Sequence, residues 1–225
     1  MADIKLVTSI SGRLSFPKLS MKEAEAFNAT STFPVDQDKI APSLQLLIEQ
    51  PMLDRLTKHL VEVFIPECVR RHGDKETRNE LSPAEAQRLT NLIESGDWEL
   101  QPPYIPIKVV SEKNQLSAPE AVAAISIKGN RGQDMVVKAR VADESELAAP
   151  DPEQLQYPCI KPIGLTIHDV YAGANVAMTL SFYSYRSGKV PGITATAGTL
   201  VFLSDNDRFG GGGVDVDLDD DIFLS

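Results

Sequence analysis

The chain is predicted to be mainly β with a helical insert, an α+β fold, on three observations. Short apolar or alternating segments bounded by Gly, Pro and Asp recur toward both ends of the 225 residues. Between them, at about 43–96, apolar residues fall at helical spacing and a strong helix-start signal is present. The C-terminus then breaks away through Gly210-Gly211-Gly212-Gly213 into an acidic run. That break divides the chain into a body, residues 1–209, and a flexible acidic tail, residues 210–225.

Taken in order, the first strand is Ile4–Ile10 continuing through Gly12 to Phe16, with a bend at the glycine. A second strand is expected at 26–35, where Phe27, Ala29, Ser31, Phe33 and Val35 share one parity. The helical block follows. Leu44, Leu47, Ile48, Met52, Leu53, Leu56, Leu60, Val63 and Phe64 recur near a helical period, with a break expected at Pro51. Pro66 is expected to end that helix, leaving Cys68–His72 as a frayed turn. A further helix has Ser82 as N-cap, Pro83 in its first turn and Glu85 completing a capping box. Leu89, Leu92 and Ile93 form its buried stripe, and Gly96 suits its C-terminal cap. Trp98 is expected to cover the junction between helix and sheet.

From about residue 104 the texture returns to strands. Ile105–Val110 is one. Ala123–Asn130 and Asp134–Val141 read as a hairpin about Asn130-Arg131-Gly132-Gln133. Residues 143–158 form a polar loop. Ala174–Tyr185 is the clearest strand, and Thr194–Leu203 is another. About five strands interrupted by a helical insert fit a five-stranded barrel of the oligonucleotide-binding type, and a β-sandwich fits almost as well.

A hydrophobic content of 42% permits a substantial core, while a net charge of −10 excludes a body coated in basic charge. Five of those negative charges are the tail aspartates, so the body carries −5 by subtraction (−10 + 5). Within it, segment 101–141 holds six Lys/Arg against three acids, so the chain has separate basic and acidic surfaces. The only two cysteines, Cys68 and Cys159, lie far apart in sequence, which suits a reducing compartment. No secretory apolar region opens the chain and no apolar stretch reaches a membrane span. A soluble protein of the cytoplasm, with no membrane partner, is expected.

Strand parity isolates two candidate surfaces. In the Ala174–Arg186 segment, Val176, Met178, Leu180 and Phe182 form a core face, and Tyr183 and Tyr185 stand on the other, followed by Arg186. Tyrosines on a polar barrel face can stack on unpaired bases, or can pack beneath a loop. In the expected hairpin, Ile125, Ile127 and Val137 point inward. Lys128, Lys138 and Arg140 point outward with Arg131 at the turn, a stripe able to track a phosphate backbone or to serve as a solvated face. The tail is the third surface. Asp215, Asp217, Asp219, Asp220 and Asp221 lead to Ile222 and Phe223, an acidic arm with an apolar tip suited to a basic pocket on a partner protein.

Catalytic patterns are nearly absent. The tetraglycine is followed by acids rather than by the Lys-Ser/Thr of a phosphate loop. Cys68 and His72 stand four apart without a second ligand pair, and the tail aspartates lack the rigid loop of a selective calcium site. Neither a cofactor nor a metal is expected, and the oligomeric state, self-association included, stays open.

The block Asp169-Val170-Tyr171-Ala172-Gly173-Ala174, leading into Ser181-Phe182-Tyr183-Ser184-Tyr185, resembles the single-stranded DNA-binding proteins of tailed bacteriophages. So do the small-residue strand 192–203, the turn Asp205-Asn206-Asp207-Arg208-Phe209-Gly210-Gly211, and the opening Gly12-Arg13-Leu14-Ser15-Phe16-Pro17. The likeness covers most of 1–20 and 160–225. The chain departs from it where Ala172-Gly173-Ala174 stands in place of a Cys-bearing version, and where Leu224-Ser225 follow Phe223. The resemblance implies an oligonucleotide-binding fold and a non-enzymatic role on single-stranded DNA in viral replication or recombination. The tail would then recruit replication or recombination proteins in the infected cell. The rivals are a β-rich phage structural or assembly protein without DNA affinity, and a nuclease using the aspartate cluster.

Overall fold

The computed structural model describes residues 7–72, 80–99, 104–139, 167 and 170–209. Its centre is a mixed sheet whose strands come from distant parts of the chain. β1 (Val7–Lys18) pairs with β2 (Ser43–Ile48), and β2 with β4 (Ala123–Lys128). β4 runs parallel to β7 (Val190–Thr196), which pairs with β6 (Asn175–Ser187), and β6 pairs back onto β1. The order β1–β2–β4–β7–β6 therefore returns to its start. β3 (Ile107–Lys108) adds to β4, β8 (Thr199–Ser204) adds to β6, and β5 (Val136–Ala139) adds to β8.

Local chemistry explains why β1 can serve two neighbours. Residues Val7–Arg13 face β6 and residues Arg13–Lys18 face β2, so the strand passes from one partner to the other at Gly12. A Cβ on Gly12 would sit 2.2 Å from the Leu47 carbonyl oxygen, so only glycine allows β1 to approach β2 there.

The helices lie in the connections. α1 (Met21–Thr30) follows β1. Between β2 and β4 come α2 (Gln50–Lys58), a π-helical turn (His59–Phe64), α3 (Ile65–Arg70), α4 (Pro83–Ser95) and α5 (Glu112–Ser117). Phe64 and Phe182 join the insert to the sheet, with ring centroids 5.8 Å apart and both rings fully buried. Burial of rings this size stabilises by about 1.5–3 kcal/mol each. α4 matches expectation: Ser82 and Glu85 form the capping box, Gly96 closes the helix at φ 75°, and Leu89, Leu92 and Ile93 are buried. Trp98 packs partly buried on the core and donates its Nε1–H to Ile93 O at 3.3 Å. Among the described residues no helix is long and apolar enough to cross a membrane.

Eight expectations are corrected. The strand expected at 26–35 is instead helix α1 to Thr30, followed by irregular chain. Ser20 Oγ accepts from Glu23 N–H, and the Glu23 carboxylate accepts from Ser20 N–H at 2.9 Å, a capping box that outweighs the parity of the phenylalanines. That parity marks no core, because Phe27, Phe33 and Val35 are all exposed. Residues 43–48, expected to open the helical insert, form β2, and the insert begins at Gln50. Pro51 starts α2 rather than breaking a helix. Pro66 likewise sits in the first turn of α3, where the preceding π turn, closed by Ile65 N–H to Leu60 O, accommodates it. Cys68 accordingly lies buried inside α3 and not in a frayed turn.

The predicted hairpin is absent: β4 is occupied by β2 on one side and by β3 and β7 on the other, so β5 pairs in parallel with β8. The single strand expected at 194–203 is two, β7 and β8, separated at Ala197-Gly198. The strand at 105–110 shortens to Ile107–Lys108. α5, capped by Ser111, was not anticipated. Arg140, Val141, Cys159, His168, the polar loop 143–158 and the tail lie outside the described residues.

Candidate functional site

Ser43 and Gln45 of β2 stand opposite Lys128 and Ser126 of β4, and all four point away from the core. Over this face runs a groove of about 1120 Å³. The end of β1, α1 and its following turn, the β4–β5 connection, and strands β6 and β7 contribute its remaining walls. Lys18, Lys39, Lys108, Lys128 and Arg131 line it, and among the described residues no carboxylate does.

These cations differ in setting. Burial lowers the Lys18 and Lys108 ammonium groups below the ordinary lysine range. A phosphate oxygen placed beside either would favour its charged form. Lys18 Nζ also lies over the Phe27 ring, 3.3 Å from its centroid. Lys39 is raised by its hydrogen bond and ion pair with Asp36, while Arg131 nearby works in the opposite direction. Lys128 and Arg131 are exposed and have no ion pair among the described residues.

Aromatic rings interleave with the cations. Phe16, Phe27, Tyr104, Tyr183 and Tyr185 all line the groove. Tyr185 is 40% exposed and stands opposite Gly192 of β7. A Cβ on Gly192 would lie 2.6 Å from Tyr185 Cζ, so the ring lies directly on bare backbone. Burial, then the neighbouring Tyr104, raises the Tyr185 hydroxyl above its usual range, which keeps the ring neutral. The combination presents flat apolar surfaces beside positive charge.

Of the residues expected from sequence, Lys128, Arg131, Tyr183 and Tyr185 meet in this groove. Two do not. Lys138 is on β5, which joins the sheet at its far edge through β8, and is not among the lining residues. Arg186 is held by Glu85 of α4, Nη2 to Oε2 at 2.9 Å and Nε to Oε1 at 3.2 Å. Burial alone would raise the Glu85 carboxyl, but the Ser82 backbone N–H and Arg186 outweigh it and hold it low. Arg186 thus ties β6 to the capped start of α4. Sequence reading missed Lys18, Lys39, Tyr104, Phe16 and Phe27 as site residues. Lys108 was counted only in the basic segment. Scattered over four segments, none of them forms a local pattern.

A second cavity, of about 500 Å³, opens beside Arg13 with Glu49, Glu120, Asn175 and Asn206 in its wall. There the arginine is committed to the protein: Nε donates to Gly173 O, Nη1 to Ser117 O and Glu120 Oε1, and Nη2 to Asp207 O at 2.8 Å. The guanidinium also covers Phe209 at 4.5 Å. Among the described residues no group of three or more His, Cys, Asp and Glu is placed to hold a metal ion. Cys68 is buried, its thiol pushed up to about 12 by burial and then by Glu67, while His72 is exposed, so the two share no site.

No protein-family model matches the chain, and no curated protein matches it in sequence. Solved structures do match. A single-stranded DNA-binding protein from bacteriophage Enc34 in complex with single-stranded DNA aligns over 93% of this chain and 97% of its own, at 14% identity and a TM-score of 0.49. The single-stranded DNA-binding protein gp2.5 of bacteriophage T7 aligns over 94% and 97%, at 11% identity and 0.44. A further structure of the single-stranded DNA-binding protein from bacteriophage Enc34 aligns over 96% of this chain and 94% of its own, at 14% identity and a TM-score of 0.50. The chain therefore shares its mixed α+β fold with that phage protein over nearly the full length of both.

Proposed function

We propose that the chain is a single-stranded DNA-binding protein that holds its ligand, largely without regard to sequence, in the groove over β2 and β4. The observation that carries this reading is the groove itself: among the described residues its lining holds five cations, five aromatic side chains and no carboxylate. The ring β1–β2–β4–β7–β6, with β4 and β7 as its parallel pair, supports reading the body as a five-stranded oligonucleotide-binding barrel with α2–α4 inserted between its second and third strands. In such barrels the face of the second and third strands is the usual oligonucleotide surface. The shared fold with a phage single-stranded DNA-binding protein points the same way.

Lys18, Lys39, Lys108, Lys128 and Arg131 would meet phosphates; Tyr183, Tyr185 and Tyr104 would meet bases. Arg140 keeps a phosphate role from the sequence pattern alone. The protein would act without catalysis, keeping single strands extended during viral replication or recombination in the cytoplasm of the infected cell. The acidic tail, with Phe223 near its tip, would recruit replication or recombination proteins.

Fluorescence anisotropy with labelled single- and double-stranded oligonucleotides across a salt series tests this. Single strands should bind more tightly than duplex. The slope of log K against log salt should be negative and no steeper than about −4.2, from roughly −0.7 for each phosphate met by six cations, Arg140 included. Absence of single-strand affinity at low salt would favour the viral structural or assembly protein.

A further inference from the structure

We propose that Phe16 is a base-stacking platform of this groove, turned outward by a bulge in β1, an assignment that rests on the single-strand reading above. A regular strand would return Phe16 to the side of Leu14, which is fully buried. The pairing with β2 prevents it. Ser15 stands opposite Gln45 but Lys18 stands opposite Ser43, so Phe16 and Pro17 together face the single residue Leu44. This two-against-one arrangement is a β-bulge, a device that re-aims a side chain. Ser15 anchors the bulge, buried against α5 and donating its Oγ–H to Asn114 Oδ1 at 3.1 Å. Pro17, which has no N–H to pair, fits the position.

The backbone at Phe16 is left-handed, φ 45°, and no other described non-glycine residue has a positive φ. A bulky residue there is strained. The ring is 49% exposed and lines the groove beside cations. Glycine at this position would relieve the strain and remove the exposed apolar surface together. The strain and the exposed half of the ring both weigh against phenylalanine on grounds of stability, whereas a ligand with flat unpaired bases favours it. Lys18, two residues on, supplies a positive charge for the adjoining phosphate.

The test uses the full chain and fluorescein-labelled oligothymidylate. Phe16→Gly should melt at or above the parent temperature. Its dissociation constant for the oligonucleotide should rise roughly 5- to 150-fold, the range for one lost stacking contact, with the salt slope unchanged. Phe16→Tyr keeps a stacking ring and should bind within about twofold of the parent. Irradiating the parent on an oligonucleotide containing 5-iododeoxyuridine should cross-link the peptide that carries Phe16. Unchanged affinity in a folded Phe16→Gly variant overturns the proposal, as does a lowered melting temperature, which makes the ring structural. If the parent itself binds no single strand, the underlying reading fails, and that is visible before any variant is compared.

Discussion

The groove over β2 and β4 and the cavity beside Arg13 both contain positive charge, and they use it in opposite ways. Arg13 spends four of the five N–H groups of its guanidinium on the protein, on three backbone carbonyls and Glu120, and lays its face on the Phe209 ring. Among the described residues the groove cations Lys128 and Arg131 meet no carboxylate, and Lys18 and Lys108 are partly desolvated without one. A cation committed in this way joins parts of a fold, here β1 to residues 207–209 and to the turn after α5. An unsaturated set on one face leaves its field for a ligand. The difference separates architecture from site more clearly than charge counts do.

The largest effect that would sharpen this contrast is on stability. Arg13→Ala should cost about 2–4 kcal/mol, because it takes a charged donor from the partly buried Gly173 and Ser117 carbonyls and from Asp207 O, and breaks the contact with Glu120. Urea unfolding measures it, and DNA affinity of the folded fraction should hold. A strong loss of affinity with normal stability would erase the distinction between the two regions.

The next effect belongs to binding. Lys128→Ala combined with Arg131→Ala should flatten the salt slope by about 1.4, at roughly 0.7 for each lost phosphate contact, with little change in melting temperature. Lys138→Ala, off the groove, should move the slope much less. The reverse order would place the phosphates on β5. Tyr185→Ala should weaken single-strand binding by about 1–3 kcal/mol at constant slope. Gly192→Ala should reproduce part of that loss without touching any groove cation, since its methyl displaces the Tyr185 ring. Anisotropy titrations of the two variants side by side decide whether ring position matters. The smallest expected effect is that of Arg186→Ala. Its ion pair with Glu85 is partly exposed, so stability should fall by less than about 1 kcal/mol and affinity should barely move.

How far the site was legible varies from residue to residue. Alternation along 174–186 placed Phe182 inside and Tyr183 and Tyr185 outside, because a strand with one buried face writes its period into its sequence. The same rule misread 26–35, where phenylalanines of one parity are exposed and the decisive signal was a capping box four residues upstream of Phe27. The basic stripe of 128–140 rested on a hairpin that does not exist. Lys128 and Arg131 survive as groove residues because they belong to β4 and the loop that follows it. Lys138 was lost with the pairing. Arg186 looked like a binding residue because its partner Glu85 is 101 positions away.

What the sequence by itself determined is local: the capping box of α4, the alternation of β6 and the need for glycine at position 12. Each rests on interactions within a few residues, or on a backbone freedom that one residue type alone supplies. Strand order was decided only in three dimensions. β5 pairs with β8 because β4 had no free side, a fact no segment carries alone. The site was decided there too. Lys18, Lys39, Lys108 and Lys128 come from four separate segments and converge because β1, β2, β4 and β7 are neighbours in one ring of pairings. Long-range pairing is set by the burial of whole faces against one another, and that cooperative choice leaves no periodic trace at the residues it brings together.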